Sequence, residues 1–309
     1  MQKVAHFLHF RLLPTMLRRW PGVVWHWPAV LLATLRVLGD PGTYRVAGSA
    51  LRALGRPDTR LARWRFAWLV AYERETKILI GLQADRLTAQ WASKYVICDG
   101  ILPPGGAILI GPHQENIRFS PLVLVAQGHR MGLIMAGDAD TEERRRAATD
   151  QDIAADDPLE ALYSPLARLR ERVFGAHIFY LRNATRPALR FLQQGGYLLI
   201  MPDPFGGHWP PAPRLGKAMP LAPGAVWLAK HADKPIVPMM LIPEGRRWRL
   251  WLGEPIAPTA AGVAAALEAC LTRAPMCWPS EYWRAWHAAP DWTEPHDPPA
   301  DTPATASPQ

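Results

Sequence analysis

Cysteine is scarce in this 309-residue chain: Cys98, Cys270 and Cys277 are the only three. Three thiols without metal-ligand spacing exclude a disulfide scaffold and a cysteine-rich metal site, and they fit a reducing compartment. No G-x-S-x-G is present, so the usual serine-hydrolase elbow is missing. Walker A and G-x-G-x-x-G loops are missing too, which leaves nucleotide-phosphate cradles unsupported. No H-E-x-x-H or Cys/His cluster points to a metal. Long apolar runs are also wanting. The longest uncharged stretch of the N-terminal region, 20–35, has sixteen residues and contains Pro21, His26 and Pro28. A bilayer span needs about 20 apolar residues, so this stretch is expected to lie at an interface. A secretory signal peptide is not expected, because no small-residue cleavage site follows a compact apolar region.

Acidic residues are nearly missing from the first quarter. Residues 1–72 hold eleven Lys/Arg against Asp40 and Asp58, a local charge of +9, while the other 237 residues sum to −1. Between the charges stand Phe7, Phe10, Trp20, Trp25, Trp27, Leu31, Leu32 and Leu35. Arginine interleaved with Trp, Phe and Leu fits a helix in a lipid headgroup layer. A nucleic-acid binder would show a recognisable motif, and none is present. An anionic membrane surface is therefore the expected partner, and nucleic acid is not. With 49% of residues hydrophobic, the chain can bury a sizeable core. The 14 tryptophans suit surfaces that are half wet and half apolar.

Hydrophobic patterning places helices over most of 1–96, broken at Pro14, Pro21, Pro28, Pro41-Gly42 and Gly55-Arg56-Pro57. Short apolar runs then alternate with helices. Strands are expected at 94–98, 107–110, 131–135, 178–181, 197–201, 235–242 and 247–252, the last surface-facing and closing the sheet. Helices are expected at 117–127, 141–173, 186–194, 224–232 and 259–272, and a Pro/Gly-rich loop at 204–223. This alternation implies an α/β fold, a mixed central sheet flanked by helices. Residues 290–309 hold six prolines and no Lys or Arg, and read as a disordered tail. In such sheets the ligand site lies beyond the carboxyl ends of the strands. Two expected strands end there on a titratable group, His113 and Asp203.

The stretch Ile108-Leu109-Ile110-Gly111-Pro112-His113-Gln114-Glu115-Asn116-Ile117-Arg118 sets a lone His at a strand-to-helix turn. Alone, such a His is as readily a capping or core residue. Further on come Arg170-Glu171-Arg172-Val173-Phe174-Gly175 and Gly195-Gly196-Tyr197-Leu198-Leu199-Ile200-Met201-Pro202-Asp203. After them stand Leu215-Gly216-Lys217-Ala218-Met219-Pro220 and Pro279-Ser280-Glu281-Tyr282-Trp283-Arg284-Ala285-Trp286-His287. In this order and spacing the chain resembles the lysophospholipid acyltransferase superfamily, in its lipid A lauroyl/myristoyl acyltransferase branch. The likeness covers roughly residues 60–287.

Composition and that resemblance together give three expected regions: 1–58 as a basic helical membrane-interface region, 59–289 as a glycerolipid-acyltransferase-like domain, and 290–309 as the tail. It implies transfer of a fatty acyl chain from a thioester, on acyl carrier protein or CoA, to a hydroxyl or amine of a lipid-like acceptor. No other cofactor is implied. The expected location is peripheral or monotopic, on the cytoplasmic face of a bacterial inner membrane. His113 would be the general base, and backbone N–H groups of the following helix would face the oxyanion. Asn116, Arg118, Arg182, Asp203 and Lys217 are the expected substrate contacts, with Arg214 a further candidate for acceptor anions.

One position departs from the family. The carboxylate expected five residues after the His is Arg118, which cannot accept an imidazole N–H. Three readings compete. Glu115 supplies the acid from a shifted turn, His113 works without an orienting acid, or the site is silent and the protein only binds lipid or acyl carrier.

Overall fold

The computed structural model describes residues 25–114, 116–135, 160–180, 184–204 and 209–293. Three helices open the described chain: α1 (His26–Gly39), α2 (Pro41–Ala53) and α3 (Arg60–Gly81). A side-chain cap, with a proline nearby, starts α2 and α3. Thr59 starts α3 by accepting from the Ala62 N–H at 3.1 Å. Asp40 starts α2, with Pro41 in the first helical position and the Asp40 carboxylate accepting from the Gly42 N–H at 2.9 Å. After α4 (Ala89–Tyr95) the chain enters the sheet.

Seven strands lie in the order β1 (Val96–Asp99), β9 (Arg247–Leu252), β8 (Ile236–Glu244), β2 (Ala107–Ile110), β5 (Tyr197–Ile200), β3 (Met131–Met135) and β4 (Ile178–Tyr180). β8, β2, β5, β3 and β4 run parallel, β9 runs against β8, and β1 is parallel to β9. The mixed sheet expected from the sequence is present. Every residue of β2 and β5 is buried, which is why both read as unbroken apolar runs and not as alternation. The remaining α-helices among the described residues are α5 (Ser120–Ala126), α6 (Glu160–Phe174), α7 (Thr185–Gln193), α8 (Gly224–Ala232), α9 (Ala260–Arg273) and α10 (Ser280–Ala288).

Four expectations need correction. β9 is not the sheet edge: β1 lies outside it, and Trp248 on β9 is buried. The segment 204–223 is not wholly a loop, for it contains an antiparallel hairpin, β6 (Pro211–Arg214) and β7 (Lys217–Pro220). The tail is ordered at its start: the Ala218 N–H donates to the Pro290 carbonyl, and the Trp292 N–H to that of Gly216. Tryptophan serves the core more than the surface. Trp25, Trp91 and Trp248 pack with ring centres 5.6 to 6.2 Å apart, and Trp278, Trp283 and Trp286 are also buried. Trp25, Ala29, Leu32, Ala33 and Val37, from the basic N-terminal region, join the same core as β2 and β5. Residues 1–24 and 294–309, and the 141–159 part of the expected charged helix, lie outside the described residues.

Asp40 links the two ends of the chain. Besides capping α2, it accepts from the Thr43 hydroxyl at 2.9 Å and from Arg284 on α10 at 2.7 Å. Burial pushes this carboxyl up, but the Thr43 hydroxyl, Arg284 and the two backbone N–H groups outweigh it and hold it below its ordinary value. Asp40→Ala is expected to lower stability by about 1 kcal/mol. Because the folded value is depressed, the Asp40 contribution is present above the unfolded aspartate value and is lost as pH falls through the folded one. Denaturant midpoints of the two proteins across that acid range check this: their difference should shrink on acidification.

Candidate active site

The site grows from one register. Ile110 of β2 stands opposite Ile200 of β5, in parallel. His113 and Asp203 each follow three residues later, so the two strand ends deliver both groups to one edge of the sheet. Gly111 permits the turn. A Cβ there would lie 2.4 Å from the Met239 carbonyl oxygen of β8, so only glycine lets the chain leave β2 at this height.

Asp203 is 2% exposed and takes four donated hydrogen bonds. The His113 backbone N–H reaches both of its oxygens at 3.0 Å, and His113 Nδ1 lies 2.8 Å from Oδ1. The indole Nε1–H of Trp278 donates to Oδ2 at 3.2 Å. A buried carboxylate requires such partners. The carboxylate in turn fixes the ring, since Nδ1 must carry the proton to be shared with it. Nε2 is then the free basic nitrogen, with no hydrogen-bond partner among the described residues. About a third of the His113 side chain (33%) is exposed. Tyr282 of α10 stacks on the imidazole, centres 5.2 Å apart and planes 21° apart, limiting rotation of the ring.

Of the residues singled out from the sequence, His113 and Asp203 meet. Asn116 does not join them. It is buried, and its amide donates to the Glu73 carboxylate at 2.7 Å and the Glu73 carbonyl at 3.1 Å on α3. No substrate contact is shown for it; here it ties the loop after His113 to the helical layer. Gln114 does the same on the other side, accepting from the Leu241 N–H of β8 at 2.9 Å. Lys217 pairs with Asp291 at 2.7 Å. Glu115, Arg182 and the Arg118 side chain lie outside the described residues. The helix expected after His113 is present as a 3-10 turn, Ile117–Phe119, followed by a helix of seven residues, Ser120–Ala126.

A carboxylate does reach the His113 ring, and it comes from Asp203, 90 residues away in sequence. Trp278 and Tyr282 complete the surroundings. An indole donor among the closing tryptophans was the available signal for the first of them. A small hollow lined by Arg36, Val37, Asp40, Thr43, Val70, Ala71, Arg74 and Ser280 lies among the described residues, and His113 does not line it. No protein-family model matches the chain, and no curated protein matches it. The likeness to lipid A acyltransferases therefore rests on the motifs themselves.

Trp278→Phe keeps an aromatic ring near Asp203 but removes one of its three donor groups. A loss of about 1–3 kcal/mol is expected, read as a lower denaturant midpoint with an unchanged slope.

Proposed function

We propose that this protein is an acyltransferase, moving a fatty acyl chain from a thioester donor to a hydroxyl or amine of a lipid-like acceptor at a membrane surface. The observation that carries the reading is the His113–Asp203 pair at the carboxyl edge of the sheet. It supplies the base and orienting acid that such a reaction needs, although position 118 is Arg. His113 Nε2 takes the proton of the acceptor O–H or N–H as the acceptor attacks the thioester carbonyl. The new C–O or C–N bond forms, the C–S bond breaks, and the imidazolium returns its proton to the departing thiolate of the carrier protein or CoA. Asp203 stabilises the imidazolium between these steps without taking its proton.

An exposed apolar face supports the location. Trp27, Leu31, Leu35 and Leu38 form an outward stripe on α1, and Trp27, Leu31 and Leu38 are each at least 62% exposed. Leu61 and Trp64 of α3 extend it, joined through the Trp68 indole, which donates to Thr34 at 3.0 Å. Trp64, Trp68 and Tyr72 stack in a row, and Tyr72 meets His26 at 2.8 Å. Beside His26, Arg246 lies over the Trp27 ring. Arg246 sits in the β8–β9 turn, past the same sheet edge that bears His113. An aromatic row with basic flanks and exposed leucines suits a headgroup layer. Among the described residues no helix is long and apolar enough to cross a membrane.

Two experiments test the proposal. The first measures thiol release and acyl-lipid formation with acyl-carrier and acyl-CoA donors. His113→Ala is expected to abolish turnover, and Asp203→Asn to cut it by about 10²–10⁴, far more than Glu115→Gln. Full activity in His113→Ala removes the base assignment, and complete lack of His113-dependent turnover favours a silent lipid- or carrier-binding protein. The second is flotation on anionic vesicles. The double change Leu31→Asp/Leu38→Asp should weaken binding by at least about tenfold, while Trp227→Ala on α8 leaves it unchanged. Equal binding by all three proteins would count against this face.

A further inference from the structure

α7 and α8 pack side by side on the face of the sheet opposite to α1 and α3. Strand β2 shows the division: Ile108 and Ile110 join the core under α7 and α8, whereas Ala107 and Leu109 join the core under α1 and α3. α7 turns Ala188, Phe191 and Leu192 inward, and α8 turns Ala225, Leu228 and Ala229 inward. Outward they expose Arg186, Arg190, Trp227, Lys230 and His231. Neither helix contains an acidic residue. Several surface arginines elsewhere meet a carboxylate: Arg52 and Arg63 at Asp58, Arg168 at Asp85, Arg284 at Asp40. Arg186, Arg190 and Lys230 have no hydrogen bond or ion pair among the described residues. The placement also runs against local preference. Arg186 stands in the first turn of α7, where the helix dipole disfavours a cation and no acid offsets it. Arg190 follows four residues on, about 6 Å along the axis, and like charges at that spacing repel. Negative charge from outside the chain would stabilise such a helix. Next to Lys230, His231 stacks on the Trp227 ring, centres 3.8 Å apart, and holds an aromatic surface in place.

Topology brings this surface to the candidate site. α7 joins the parallel strands β4 and β5, so it begins at the carboxyl edge that carries His113 and Asp203. The Ala222 N–H donates to the Pro202 carbonyl at 2.8 Å, which sets the start of α8 beside Asp203. Arg186 and Trp227 lie at that end of their helices. A bilayer seated on the outward stripe of α1 and α3 cannot also reach α7 and α8, because the sheet lies between them. We infer that the outer face of α7 and α8 docks an acidic protein, the carrier that presents the acyl thioester, through carboxylates repeated every three or four residues on one of its helices. This rests on the acyltransferase reading and takes the carrier protein, not CoA, as the donor. Cations spread over two helices beside an exposed indole suit a helix face better than a compact phosphate group.

The test is calorimetric titration of the full chain with acyl carrier protein whose phosphopantetheine thiol bears no acyl group. Arg186→Glu/Arg190→Glu is expected to weaken binding at low salt by at least about tenfold, and added salt to weaken wild-type binding. Lys230→Glu on α8 should act in the same direction, so the outcome does not depend on one helix. Arg60→Glu/Arg65→Glu on α3 changes the net charge equally on the other face, and should leave carrier binding within about twofold. Flotation of Arg186→Glu/Arg190→Glu on anionic vesicles should match wild type. No carrier binding at low salt, unchanged binding in the α7 and α8 variants, or equal weakening by both double variants overturns the proposal. Lost flotation with carrier binding intact overturns it in favour of a lipid contact. Nothing is transferred in this measurement, so carrier binding lost in the α7 variant supports the docking face even in a protein without turnover. Turnover from acyl-CoA with no carrier binding overturns the docking face and leaves the acyltransferase reading in place.

Discussion

One buried carboxylate organises the candidate site. Asp203 sits at the end of a fully buried strand, where an uncompensated charge would cost several kcal/mol. Four donated hydrogen bonds offset that cost, three of them from His113. The same bonds that make the charge tolerable fix the imidazole in orientation and tautomer. Stability and chemistry are thus served by one constraint, since the backbone N–H of His113 cannot reach Asp203 unless β2 and β5 are adjacent and in register.

The remaining layers hold that pair from three sides. Asn116 ties the loop after His113 to Glu73 in the long helix α3. Gln114 ties it to β8. The tryptophan-rich end returns across the edge, giving Trp278 to the carboxylate and Tyr282 to the ring. The segments involved are far apart in sequence, so the site forms only once the whole sheet and its C-terminal helices are assembled. The outward apolar stripe of α1 and α3 is a separate matter. It uses the face of each helix that the core leaves unused, because α1 buries Ala29, Leu32, Ala33 and Val37 on the other side.

Much of the fold was legible because its strands are short apolar runs between strong punctuation. β2 and β5 read clearly since both of their faces are buried. The hairpin β6–β7 did not, because Pro211, Pro213 and Pro220 gave it the composition of a loop. Single-residue placement reached His113 and Asp203 as strand-end groups. Their contact was not legible, because it depends on which strands are neighbours, and local periodicity carries no such information. A motif-based search for the partner acid looked close to the His in sequence, whereas the sheet brings it from the adjacent strand. Asn116 is a related case: a polar residue near a candidate catalytic His reads as a ligand, and its bond to Glu73 is not legible until the helix behind it is known.

The account depends on the proton between His113 Nδ1 and Asp203. Nitrogen-15 NMR of the histidine rings, with His113 assigned by its Gln variant, observes that proton directly. The account predicts the neutral ring protonated on Nδ1 and bare on Nε2, and predicts that Asp203→Asn abolishes that preference. A ring protonated on Nε2, or one indifferent to Asp203→Asn, would contradict it.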